Sequence, residues 1–179
     1  MAEEVKKPLT RSEREAILKD KSGFVIVIMA LFLAFNTYLA NGFSGAAQTK
    51  LLQASNMYGF FQAKSIKQSI AEGQLEDAKA AGNKERIAKL EAKIERYESD
   101  PKTNEGKKEL LARAQKLETE REEARAHGPW LTFSGMLFQL AIVLLSASIL
   151  AVDNRLYKAS WYVTGFALVL MAQGYFLVI

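Results

Sequence analysis

The chain has 179 residues, a formal net charge of +4, a mean hydropathy of -0.05 and no cysteine, so it carries no disulfide framework, thiol nucleophile or thiolate metal site. Residues 42–127 hold sixteen Lys/Arg against fourteen Asp/Glu, interspersed along the segment, which excludes the one-sided basic footprint of a nucleic-acid module. The near-zero hydropathy averages two populations, because residues 22–49, 128–152 and 159–179 contain no charged side chain at all.

In chain order, residues 1–22 form a short polar N-terminal segment and residues 23–41 a first transmembrane helix, since about 20 apolar residues of helix cross a bilayer. Its apolar core is longer than the roughly 7–15 residues of a cleavable leader, so an uncleaved anchor is expected. Residues 42–72 read as an amphipathic basal helix. Its face of Ala47, Leu51, Ala54, Tyr58 and Phe61, widened by Leu52 and Ile66, is expected to point inward, and Lys64 and Lys67 to reach lipid phosphates. Residues 73–128 read as an antiparallel helical hairpin. One seam is Ile87, Leu90, Ile94 and Tyr97, and the other runs through Leu110, Ala114 and Leu117. Pro101 and Gly106 mark the turn, which places Ile94 opposite Leu110. One straight helix from residue 46 to residue 99 would far outreach the return helix, so a break is expected at Gly73, with Gly82 as the second candidate.

Residues 129–152 and 159–179 form the second and third spans, joined by a short loop at 153–158 in which Asp153 is expected to pair with Arg155. Tyr38, Phe43, Trp130, Tyr157, Trp161, Tyr162 and Tyr175 fall at span ends, as interfacial aromatics do. The fold class is therefore all-α, an integral membrane protein of three spans with an extramembrane helical hairpin between the first two. Lys6, Lys7, Arg11, Arg14, Lys19, Lys21, Arg155 and Lys158 share one side, so the N-terminus is expected to be cytoplasmic and the hairpin extracytoplasmic.

Asn36, Gln139 and Gln173 fall at similar depth in the same leaflet, where amides on three helices can hydrogen-bond one another as interhelical glue. A permeation path is the rival reading, and the spans lack the ionisable residues such paths carry. His127, the single histidine, reads as a helix-capping or surface residue. The acidic run Glu118, Glu120, Glu122, Glu123 is spread around a helix and reads as a solvated face. No phosphate-binding glycine loop, zinc-ligand spacing or nucleophile elbow occurs, so no enzyme, cofactor, metal or small-molecule substrate is expected.

The stretch Phe60-Phe61-Gln62-Ala63-Lys64-Ser65-Ile66-Lys67-Gln68 resembles a bacterial family of small membrane proteins classed as a domain of unknown function, with Tyr58 near the family's bulky aromatic. The resemblance covers residues 24–178 and implies one span, a charged helical region and two closing spans, in a bacterial inner membrane. It supplies no activity. Tyr58, Phe61, Gln62, Lys64 and Lys67 are accordingly the motif and lipid-facing candidates. The expected function is a non-enzymatic membrane scaffold whose partners are the bilayer and a second copy or other membrane subunits. An accessory subunit of a larger complex and a small oligomeric channel are the alternatives.

Overall fold

The computed structural model describes residues 10–177, so Lys6, Lys7 and the last two residues of the third span lie outside the described residues. The described residues form five helices: α1 (Arg11–Ala80), α2 (Lys84–Glu98), α3 (Lys107–Ala126), α4 (Gly128–Ala151) and α5 (Asn154–Phe176). Two helical runs are long and apolar enough to cross a membrane, α1 and the run Lys107–Ala151 that contains α4. The chain divides into two compact units, one of residues up to Ser44 with α4 and α5, the other Gly45–Arg125.

In the first unit α1 and α4 run antiparallel: Val25 and Met29 share a core with Ala141 and Leu145, and Phe32 stacks on Phe138 with centroids 6.1 Å apart. Beside Met29, Leu131, Phe138 and Leu145, its interior holds many small and polar side chains. Ser134, Ser148, Ser160 and Thr164 are buried with Ala141 and Ala167, while Phe24, Leu31, Phe133, Val143, Tyr162 and Phe166 are exposed. Water selects the opposite arrangement, whereas a lipid solvent gives large apolar side chains no reason to turn inward and favours small residues at helix contacts. The hydroxyls of Ser134, Ser148, Ser160 and Thr164 are satisfied locally or across helices, Thr164 bonding the Ser160 carbonyl and Ser134 that of Ala167 at 2.9 Å, whereas the buried Ser22 hydroxyl has no partner among the described residues.

The connection between α4 and α5 is shorter than the loop 153–158 expected from the sequence. Val152 closes α4 in the left-handed conformation (φ 52°), with the Asp153 N–H donating to the Ser148 carbonyl. Asp153 then caps α5, accepting from the Arg155 N–H at 2.8 Å. Its carboxylate is an N-cap rather than half of an ion pair.

The second unit corrects the hairpin. α1 continues through Gly73 without a break, and the chain reverses at residues 81–83, where Gly82 takes φ +68°, so the second candidate is the true turn. Gly73 stays helical because one glycine costs only about 1 kcal/mol relative to alanine, less than packed neighbours return. Asn83 starts α2 by accepting from the Arg86 N–H. α2 lies along the end of α1, with Leu90 buried among Ala71, Leu75 and Ala78, and Ile87, Ile94 and Tyr97 packed around them. α3 lies along an earlier stretch of α1: Glu105, at its approach, pairs with Lys64 and Glu120 with Lys50. Both α2 and α3 therefore run antiparallel to α1, one after the other, and the Pro101 turn is a joint in the return arm rather than the tip of the hairpin.

This arrangement dissolves the length mismatch that called for a basal helix. The 36 residues of α1 in this unit reach about 54 Å, and α2 and α3 together supply 35 helical residues for the return. The inner face of α1 is Ala47, Lys50, Ala54, Met57, Phe61, Lys64, Gln68, Ala71, Leu75 and Ala78, alternating steps of three and four and buried or half-buried throughout. Tyr58 is also half-buried, but Leu51, Leu52 and Ile66, expected to face inward, are exposed. Cysteines at Lys50 and Glu120 are expected to be joined within one chain by a short bismaleimide, and cysteines at Ile94 and Leu110 to react far less. Gel shifts after cross-linking in membranes read both, and the reverse preference would restore the α2–α3 hairpin.

Candidate functional site

The motif at 60–68 sits on α1 in the second unit, and its inner face, Phe61, Lys64 and Gln68, receives the joint between α2 and α3. Lys107, the first residue of α3, is the centre of this contact. Its ammonium donates to Gln68 Oε1 at 3.1 Å, lies 3.0 Å from Glu98 Oε2 and stands 5.9 Å from the centre of the Phe61 ring. Lys64 in turn stands 3.5 Å from Glu105 and 5.7 Å from the Tyr97 ring. A cation held by an amide oxygen, a carboxylate and an aromatic face at once fixes the rotation of α3 better than an apolar contact would.

The joint itself is held by Glu109. Its carboxylate, in the first turn of α3, accepts from the Ser99 hydroxyl at 2.5 Å and the Asp100 N–H at 3.2 Å. Asp100 closes the loop by accepting from the Thr103 N–H, and Asn104 takes φ 56°, a left-handed value that asparagine tolerates. Hydrogen bonds to the charged forms hold Glu109 below the usual carboxylate range through Ser99, Glu98 through Lys107 and Asp100 through Thr103. Glu120 is lowered by Lys50. Tyr58 is pushed up, by desolvation first and by Glu118 second.

Carboxylates whose folded pKa is depressed stabilise the fold above their unfolded values, and that stability is lost as pH falls through the folded values. The second unit is therefore expected to loosen below about pH 4, the ordinary carboxylate range. Proteolysis between Ser99 and Gly106, followed from pH 7 to pH 3 with an acid-active protease, checks it. The substitution Glu109→Gln should flatten the profile, and an unchanged profile would count against the clamp.

Of the motif candidates, Tyr58, Phe61 and Lys64 face inward, while Gln62 and Lys67 are exposed, Lys67 at the flank beside the joint. Leu110 is buried and Leu117 half-buried against α1, not against Ile87, Leu90, Ile94 and Tyr97. The amide layer in the first unit is not assembled as expected. Asn36 is buried and donates its amide to the Leu131 carbonyl at 2.8 Å, whereas Gln139 is exposed on α4 and Gln173 is half-buried on α5. His127 does cap a helix, but not its own: Nδ1–H donates to the Gly174 carbonyl in the last turn of α5 at 2.7 Å, and the ring stacks on Phe43 at 3.8 Å. Three helices of that unit meet at this one side chain.

Residues 18–177 match the family model described as Domain of unknown function (DUF4337). The chain belongs to this family. No curated protein and no solved structure matches it. In this DUF4337 member Lys107 and Glu109 escaped the sequence reading because each looks like an ordinary surface residue, and Gly106 reads there as a turn marker without the close approach it permits. The Ser99-to-Glu109 spacing across a Pro/Gly turn was the available signal for the clamp. Along the acidic run, Glu118 faces Tyr58, Glu120 pairs with Lys50 and Glu122 with Arg121, so these three contribute to packing and helix-surface pairing.

Proposed function

We propose that the chain is a non-enzymatic, three-span scaffold of a bacterial inner membrane, with a cytoplasmic N-terminus and an extracytoplasmic coiled-coil hairpin that self-associates. The observation that carries this reading is a second seam on α1. Leu52, Asn56, Gly59, Ala63, Ile66 and Ile70 repeat at steps of four and three on the side opposite the hairpin core, and all six are exposed. From residue 51 to residue 63 α1 carries no charge, although α2 and α3 are densely charged. A solvated helix face normally carries charge, and an uncharged stripe in this register is what a further helix packs against.

The exposed Gln139 supports the same reading from within the spans. A side-chain amide on a lipid-facing surface lacks a partner there, and a neighbouring membrane chain supplies one. The third span is supported by α5, which packs along α4 and carries Trp161, Tyr162 and Phe166 on its exposed side. Intact-mass measurement after gentle solubilisation is expected to show an oligomer. Leu52→Lys with Ile66→Lys, both exposed and outside the hairpin core, should reduce it to a monomer with unchanged helix content. A wild-type chain that is monomeric and free of other subunits would refute the scaffold.

A further inference from the structure

Charge is balanced along the second unit but not around its joint. Two clefts flank the 99–106 loop, one of 460 Å³ and one of 380 Å³, and Lys64 and Glu105 line both. Together they gather Lys64, Lys67, Lys89, Lys93, Arg96 and Arg113 against two carboxylates, Asp100 and Glu105. The missing acids are spent elsewhere: Glu98 faces Lys107 and Glu109 holds the loop. Lys64, Arg96 and Lys89 have carboxylate partners, at 3.5, 3.4 and 2.6 Å respectively. Lys67, Lys93 and Arg113 make no ion pair among the described residues, and the Lys93 ammonium rests 5.8 Å from the centre of the Tyr97 ring.

We propose that these clefts form one binding site for a phosphate-bearing anion, with Lys93 on one side of the loop and Lys67 and Arg113 on the other. Cations gathered within about a Debye length of one another repel unless an anion joins them, and a phosphate supplies several acceptor oxygens at once. Thr103 and Asn104, which line one cleft each, add hydrogen-bonding side chains at the rim. The phosphate is carried either by an anionic lipid headgroup or by a soluble molecule. Self-association is not required, because every residue named belongs to one chain.

The test uses the full chain in uncharged detergent, titrated with inorganic tripolyphosphate, and the full chain mixed with phosphatidylcholine vesicles with or without phosphatidylglycerol. Saturable binding of either probe is expected. Lys67→Gln, Lys93→Gln and Arg113→Gln together should weaken it at least about tenfold, the equivalent of one charge-assisted hydrogen bond. A control triple of the same charge change outside the clefts, Lys84→Gln, Arg86→Gln and Lys116→Gln, should leave it within about twofold. Binding of tripolyphosphate supports the site with a soluble ligand, and binding of phosphatidylglycerol vesicles alone supports it with a lipid one. No binding of either probe, or equal weakening by the two triples, overturns the proposal. Thermal melting of both triples, which remove no ion pair closer than 3.9 Å, confirms that each is folded.

Discussion

Gly106→Ala is expected to disrupt the joint of the return arm, while Gly73→Ala on α1 is expected to do no harm. A Cβ on Gly106 would lie 2.6 Å from the Ser99 Cα and closer still to the Asp100 nitrogen, and neither backbone can step aside without breaking the loop. It would also meet the Glu109 carboxylate that holds Ser99 and Asp100. The expected loss is about 3 kcal/mol, at the upper end for overpacking. Gly73 has open space around its Cβ position and lies within a helix, so alanine there should add about 0.5–1 kcal/mol. Thermal unfolding of the full chain in detergent, followed by circular dichroism, reads both changes. Equal melting of the two variants would show that the joint does not hold α3 in place.

Leu90→Ala is expected to weaken the far end of the hairpin by about 2–5 kcal/mol, the range for emptying a buried leucine site. Leu90 is 7% exposed and its neighbours on α1 include Ala71 and Ala78, at 2% and 1%. Alanines let the helices approach closely but leave little side-chain volume to close the hole, so relaxation recovers little of the loss. Hydrogen exchange should show residues 71–98 opening more often while the first unit keeps its protection. Uniform loosening of both units would mean that the hairpin end does not open separately.

The helical fold class and the family were legible from apolar stretches, helical periodicity and one nonapeptide, because each is written in residues close together in sequence. The path of the chain through the second unit was not. Lys50, Lys64 and Gln68 occupy inward positions that an apolar pattern search skips, so the face read from the sequence veered to Leu51, Leu52 and Ile66 and left out Ala71, Leu75 and Ala78. Gly73 resembles a breaker and Pro101 a hairpin tip, yet the reversal falls at Gly82, whose neighbours Ala81 and Asn83 carry no proline signal. The amide layer failed for a related reason. Depth along a helix follows from counting residues, but the direction a side chain faces depends on which neighbour packs there, and Gln139 is exposed where Asn36 is buried against Leu131.

The two halves of the return arm are out of phase. The inward residues of α2, Ile87, Leu90, Ile94 and Tyr97, project a seven-residue repeat onto residues 101, 104, 108 and 111, whereas α3 turns Lys107, Leu110, Ala114 and Leu117 toward α1, one position earlier. An unbroken helix could satisfy one set or the other, since a single-residue offset rotates side chains by about 100°. The non-helical joint resets the count, so insertions or deletions at its exposed residues, Lys102 and Thr103, leave both seams aimed at α1. The same change inside α3 would turn every later inward residue toward solvent, which makes the joint the place where this arm can vary in length over evolution.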